Sequence, residues 1–303
     1  MTSRRSEPRP APEPGLVVVD KPGGMSSHDV VARLRRFFGT RKVGHAGTLD
    51  PMATGVLVVG IERATKMLGL LALETKSYEA TIRLGQTTAT DDAEGEITAT
   101  ADASEVSDEA IDAGVAALTG EIDQVPSAVS AIKVDGKRAY DRVRAGEEVV
   151  LKSRRVTVSR FDVLGRLRSG EVVDLVVVVD CSTGTYIRAL ARDLGAGLGV
   201  GGHLTALRRT MVGPFDLDVA RTLEELEAEP RLSLDLDAAA LAAFPRRDID
   251  AEDAEGLRHG RWLDAQGDTG VVAAVAPDGR VAALVSESGK RAAPVVVMRP
   301  AGL

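Results

Sequence analysis

The run Val43-Gly-His-Ala-Gly-Thr-Leu-Asp-Pro-Met-Ala-Thr54 gathers the residues best suited to chemistry. Asp50 is a carboxylate followed by Pro51, in a stretch where Gly44, Gly47 and Gly55 let the backbone approach a ligand closely. A carboxylate in such a loop can serve as nucleophile or as acid and base. Asp-Pro also starts ordinary turns, and from this segment alone a capping role for Asp50 carries more weight. His45, taken singly, reads as a structural loop histidine. Other chemistries have no support in the chain. There is no phosphate-binding loop of the Walker type and no dinucleotide fingerprint between a strand and a helix. The four histidines, His28, His45, His203 and His259, show no paired helical spacing, which argues against zinc. No Gly-x-Ser-x-Gly elbow is present. If the chain is an enzyme, its chemistry rests on a carboxylate, a tyrosine and arginines.

The elements around these residues follow from patterning. Leu16–Asp20 is a short apolar strand ended by the turn Lys21-Pro-Gly-Gly24. Ser26, Ser27 and Asp29 start a helix in which Val30, Val31, Leu34, Phe37 and Phe38 share a face, and Gly39 stops it. The segment 43–54 is expected as a loop, and Gly55–Gly60 as a buried strand. Lys66–Leu73 reads as a helix, and Tyr78–Leu84 alternates as a half-buried strand. Ser107 caps a helix through Leu118. Val156–Val163 and Val172–Asp180 read as strands, the second central and covered on both faces. A helix is expected at Tyr186–Leu194 with Gly195 past its end, then a strand at Leu204–Met211. With no regular βαβ repeat, the class is α+β with a mostly antiparallel sheet. Beyond an Ala-rich, acidic stretch at 216–250, short strands at Gly270–Ala276, Val281–Val285 and Val295–Met298 suit a small appended barrel. Turns at Ala276–Gly279 and Ser286–Gly289 connect them.

A length of 303 residues fits one large domain plus a small one. No apolar stretch reaches the roughly 20 residues that span a bilayer, and the Arg- and Pro-bearing arm 1–14 has no apolar core of a signal peptide. Cys181 is the sole cysteine, which excludes an intramolecular disulfide and suits a reducing cytoplasm. The net charge of −7 argues at first against a polyanionic partner. Yet residues 1–215 hold 28 basic and 28 acidic residues, while 216–303 hold 10 and 17. Residues 133–160 concentrate nine cations: Lys133, Lys137, Arg138, Arg142, Arg144, Lys152, Arg154, Arg155 and Arg160. Such a patch can bind phosphate in an acidic protein; a solvated face fits the composition equally well.

Five blocks together resemble one family. Val43–Gly55 resembles the catalytic signature of the TruB-type tRNA pseudouridine-55 synthases, and Asp20-Lys-Pro-Gly-Gly-Met-Ser-Ser27 their early lysine-proline motif. Lys76-Ser-Tyr-Glu-Ala80 with Arg83-Leu-Gly-Gln86 is similar to their tyrosine strand. Cys181-Ser-Thr-Gly-Thr-Tyr-Ile-Arg188 resembles their tyrosine-arginine motif, and Gly201–Arg209 their closing strand. The blocks keep family order across about residues 16–215.

The resemblance implies an isomerase that turns uridine 55 in the T-loop of tRNA into pseudouridine, without metal or other cofactor. Asp50 becomes the essential carboxylate, and Arg188 the cation that holds it ionised. Asp92, rather than its neighbour Asp91, steadies that arginine. Tyr78 stacks on the flipped base and serves proton transfer. Tyr186 lines the pocket, His45 fills the space the base leaves or contacts the extruded nucleotide, Lys21 supports the floor and Leu207 packs in the wall. RNA grip is assigned to an insertion at 133–155, with Lys133, Lys137, Arg138, Arg142 and Arg154, and to Arg208, Arg209 and the Arg33–Lys42 cluster. The implied layout is a catalytic domain at 15–215, a helical connector at 216–247 and a PUA-like barrel at 248–303. That barrel's acidity and Ala89, where relatives often carry an acid, depart from the family pattern. The implied partner is the tRNA T-arm, with a monomeric protein in the cytoplasm, no membrane and no protein partner. A tRNA-folding chaperone acting independently of catalysis is the alternative; a guide-RNA-dependent synthase ranks lower.

Overall fold

The computed structural model describes residues 11–127, 133–134, 137–138 and 151–302. The basic arm expected at 1–14 therefore lies mostly outside the described residues. In chain order the first elements are β1 (Gly15–Lys21), α1 (Ser27–Phe37), β2 (Val43–Ala46), β3 (Thr54–Ile61) and β4 (Lys76–Leu84). Next come α2 (Asp108–Ala117), β5 (Gly120–Gln124), β6 (Arg154–Ser169), β7 (Val172–Cys181), α3 (Ile187–Gly197) and β8 (Gly202–Val212). The C-terminal part holds α4 (Leu236–Ala243), β9 (Arg246–Asp248), α5 (Ala251–Arg258), β10 (Leu263–Asp264), β11 (Val271–Val275), β12 (Val281–Ser288) and β13 (Arg291–Val297). The chain forms two compact units, one of residues 1–50, 56–72 and 213–303, the other of 51–55 and 73–212. Among the described residues no helix is long and apolar enough to cross a membrane.

In the first unit, α1 begins where Ser26 accepts from the Asp29 amide and the Asp29 carboxylate accepts from Ser26 in return. This reciprocal cap satisfies amide groups that the first turn leaves without partners. Val30, Val31 and Leu34 then bury one helix face against Val17 and Val19 of β1 and Leu57, Val59 and Ile61 of β3. Each such side chain contributes about 1.5–3 kcal/mol when fully buried. The expected loop at 43–54 is shorter than its composition suggests. Its first four residues pair antiparallel with β3, Val43 opposite Ile61 and Ala46 opposite Val58. Alternation was too short here to show, since only Val43 and Ala46 are buried. The helix expected at Lys66–Leu73 is a 3-10 turn at Glu62–Lys66 followed by a single α-turn at Leu68–Leu71.

The C-terminal strands form a separate five-stranded mixed sheet in the order β9-β11-β12-β13-β10. β9 runs parallel to β11 and the remaining pairs are antiparallel. The expected turn at Ser286–Gly289 starts later, because β12 continues through Ser288, opposite Arg291.

The second unit is built on antiparallel strands in the order β8-β4-β7-β6-β5. Thr54 and Gly55 join it parallel to Arg208 and Arg209, which makes the sheet mixed. The class is thus α+β with a mixed, mostly antiparallel sheet. β7 is central, between β4 and β6, but not covered on both faces. Val173, Leu175, Val177 and Val179 are fully buried, whereas Val176 on the other face is 36% exposed. A run of valines can therefore line an antiparallel strand with one open face. Gly195 also departs from expectation: it lies inside α3 instead of past its end. A Cβ there would stand 2.2 Å from the Gly201 carbonyl carbon and the Gly202 nitrogen, so the glycine lets helix and strand backbones touch.

Candidate active site

In the first unit the Asp50 segment is tied to the start of α1. The Ser27 hydroxyl accepts from the Leu49 amide at 2.9 Å and donates to the Leu49 carbonyl at 3.1 Å. Both residues are buried, and the half-buried Asp50 follows immediately. Ser27 thus fixes the backbone one residue before the carboxylate. The sequence places Ser27 at a helix start and at the end of the Asp20–Ser27 block, but gives no sign of this partner, which lies 22 positions away. Lys21 is fully buried at the end of β1, and its ammonium donates to the carbonyls of Pro22 and Met25. It folds the Pro22–Met25 turn back on itself. His45, on β2, meets His28 of α1 edge to face, with ring centroids 5.6 Å apart and planes at 82°.

In the second unit Tyr78 lies on β4, 7% exposed, opposite Val179 of β7 and Arg209 of β8. Leu207 of β8, also buried, stands opposite Ala80. Arg188, in the first turn of α3, approaches the Asp92 carboxylate at 3.4 Å with both side chains almost wholly buried. It also donates to the Thr90 carbonyl at 2.9 Å. Asp92 in turn accepts from the Thr90 hydroxyl and, at 3.1 Å, from the Glu94 amide. The adjacent carboxylate has a different partner: Asp91 faces Arg192 at 3.4 Å. Asp91 adopts a left-handed φ of 59°, a conformation Asp tolerates better than most residues. Burial raises its pKa, and the Ser127 hydroxyl, Arg192 and Arg188 act against that rise.

Tyr186, just before α3, is held by a residue that the sequence reading did not select. Gln124 of β5 receives the Tyr186 amide at 2.8 Å and donates to its carbonyl at 3.1 Å. A planar amide matching both main-chain groups fixes the backbone without using the tyrosine ring. Over that ring lies the Arg154 guanidinium, 5.5 Å from the centroid. Arg154, assigned to RNA grip, thus stacks on Tyr186.

Lys133, Lys137 and Arg138 fall on two short antiparallel strands, Lys133 opposite Arg138. Arg142 and most of the expected insertion at 133–155 lie outside the described residues. Arg208 is half-buried and donates to the Thr54 hydroxyl at 3.4 Å. Arg209 does not fit a surface phosphate contact, because it is 1% exposed. It sits on the inward side of β8, where strand alternation turns the guanidinium away from solvent. Gly55 brings its backbone close to Arg209 itself: a Cβ would meet the Arg209 carbonyl oxygen at 2.1 Å, and φ is 97°. Among the described residues no group of three or more His, Cys, Asp or Glu side chains could hold a metal ion.

Comparison with known proteins identifies the family. Residues 35–187 match the N-terminal domain of the TruB family of pseudouridylate synthases. Residues 188–243 match the tRNA pseudouridylate synthase B C-terminal domain, and 244–299 the tRNA pseudouridine synthase II C-terminal domain. The chain is 66% identical over 301 residues to the tRNA pseudouridine synthase B of Nocardia farcinica, covering 99% of this chain and 98% of that one. It is 64% identical to the protein of the same name from Rhodococcus jostii, over 95% of each chain. Among solved structures it resembles a chain of a Cbf5-Nop10-Gar1 complex, with a TM-score of 0.72 at 27% identity, over 94% of this chain and 85% of that one. A chain of an archaeal box H/ACA Nop10-Cbf5 complex is similar at a TM-score of 0.70 and 26% identity, over 95% of this chain and 87% of that one. The chain accordingly belongs to the TruB family of pseudouridylate synthases, enzymes that isomerise uridine.

Proposed function

We propose that this enzyme acts on tRNA and converts uridine 55 of the T-loop into pseudouridine, with Asp50 as its essential carboxylate. The observation that carries the reading is the rigid seating of the Asp50 segment by Ser27, in a chain whose near full-length relatives are named tRNA pseudouridine synthase B. A stacked base cannot be reached, so the nucleotide is flipped out at a cost of a few kcal/mol. Tyr78 offers the ring on which that base stacks, and His45 fills the gap it leaves.

Asp50 acts at ribose C1′ or at base C6. The bond between N1 and C1′ breaks, the uracil turns, and C5 bonds to C1′. The C5 proton then leaves to solvent and N1 takes one up, so the reaction is an isomerisation without net redox change. Arg188, steadied by Asp92, keeps Asp50 ionised. Tyr186 and Leu207 line the pocket, Lys21 shapes its floor, and a closed site keeps water from the separated base. The segment 133–155 grips the T-arm, and Arg208 adds a phosphate contact. The catalytic domain is taken as 15–215, the connector as 216–247 and the PUA-like domain as 248–303, in a monomer working in the cytoplasm.

The test uses an unmodified tRNA transcript tritiated at uridine C5, with wild-type protein and Asp50→Asn. Wild type releases tritium from the T-loop position, and Asp50→Asn binds the RNA without release. Full release by a folded Asp50→Asn protein would remove Asp50 from the mechanism.

A further inference from the structure

Trp262 is the only tryptophan in the chain, and it stands 48% exposed just before β10. Its neighbour Leu263 turns inward to 4% exposure, opposite Ala292 of β13, so the pairing that buries the leucine holds the indole outward. The Arg291 guanidinium, from the start of β13, lies 4.0 Å from the indole centroid. That contact fixes a flat, amphipathic surface of ring and guanidinium on the rim of the C-terminal sheet. Arg261 and Lys290 flank the pair, both exposed. Among the described residues, none of Arg261, Lys290 and Arg291 takes part in an ion pair. The point is notable because this part of the chain is acidic, with 10 cations against 17 anions in 216–303. Most of its other arginines are neutralised: Arg247 by Asp268 and Glu287, Arg299 by Asp237, Arg246 by Asp248.

We infer that Trp262 and Arg291 form a stacking platform for an unpaired nucleobase of the substrate RNA. An exposed indole beside un-neutralised cations combines the two features by which proteins hold single-stranded nucleic acid, a π-face for the base and positive charge for its phosphate. Stacking needs little net charge, which is how an acidic domain can hold RNA. The inference rests on the reading that the substrate is tRNA, and the experiment separates the two.

Because Trp262 is the sole tryptophan, emission excited at 295 nm reports on this residue alone. The full-length protein is titrated with the C5-tritiated tRNA transcript, and in parallel with a blunt, fully paired RNA duplex of equal charge. The tRNA quenches the emission and the duplex does not. Trp262→Ala weakens tRNA binding about tenfold and Trp262→Phe, which keeps an aromatic face, restores most of it. Thermal unfolding of both variants stays near wild type, since the replaced ring is surface-exposed. Equal quenching by the duplex would show that the ring senses the backbone rather than a base, and would overturn the platform. Unchanged emission with a tRNA that releases tritium overturns the platform alone. An RNA that neither binds nor releases tritium overturns the substrate reading together with it.

Discussion

Arg188 and Asp92 are each nearly inaccessible to water, so each charge leans on the other. Removing one partner of a buried ion pair costs up to about 3–5 kcal/mol, and here it leaves the buried guanidinium with one carboxylate fewer. Asp92→Ala should lose that much stability in urea unfolding, and more than Asp92→Asn, whose amide oxygen can still accept from Glu94. Both variants should lose tritium release per folded molecule; a folded Asp92→Asn with wild-type turnover would sever Asp92 from the chemistry. Cys181 offers a pH test. Burial pushes its thiol up from 9.0 to about 11. Below pH 9 the thiol is protonated in folded and unfolded chains alike and contributes no pH dependence. Between about 9 and 11 the unfolded chain releases a proton that the folded one keeps, so stability falls as pH rises, by up to about 1.4 kcal/mol per unit. Urea midpoints at pH 8 and 10.5 should therefore separate more for wild type than for Cys181→Ala.

At the scale of elements, α3 and β8 are joined by backbone contact. Gly195→Ala would force a methyl group into the Gly201–Gly202 peptide, and backbone cannot swing aside as a side chain can. Overpacking of this kind costs about 1–3 kcal/mol or more. Gly197→Ala, in the same helix with open space around it, should be neutral or stabilising by about 0.4–1 kcal/mol. Chemical denaturation of the two variants side by side checks the contrast, and an equal effect would remove the close-packing argument. These elements also mark the reach of sequence reading. The Tyr78 strand was legible because burial of alternate residues imposes a period of two. The α1 start was legible because capping is local, within Ser26–Asp29. Gly195 resembled a helix stop because its real partner, Gly201–Gly202, is brought to it by the fold. Gln124 gave no signal at all: glutamine has no spacing rule, and its partner Tyr186 lies 62 residues on. The five motif blocks hold Asp50, Tyr78, Arg188 and Ser27, whereas the Ser27–Leu49 contact that seats the Asp50 segment and the Gln124 that seats Tyr186 depend on distant segments meeting in the fold.

For the molecule as a whole, a net charge of −7 must be reconciled with a polyanionic substrate. Overall charge governs long-range approach, but within a Debye length of about 8 Å at physiological salt only the local patch is felt. Cations concentrate at 133–160 and anions at 84–132 and beyond 216, so the RNA-facing surface need not share the sign of the average. Affinity should then fall steeply with salt despite the acidic pI of 5.3, because each phosphate neutralised releases counterions. Replacing Lys133, Lys137 and Arg138 together by alanine should flatten the plot of log affinity against log salt. If each makes one phosphate contact, the slope becomes smaller by about 2–3. Trp262→Ala should lower affinity with the slope unchanged, since stacking releases no counterions. Filter binding of tRNA from 50 to 300 mM salt distinguishes them. An unchanged slope in the triple variant would place the phosphate contacts elsewhere, first on the Arg33–Lys42 cluster, whose Arg41 and Lys42 are exposed in the segment between α1 and β2.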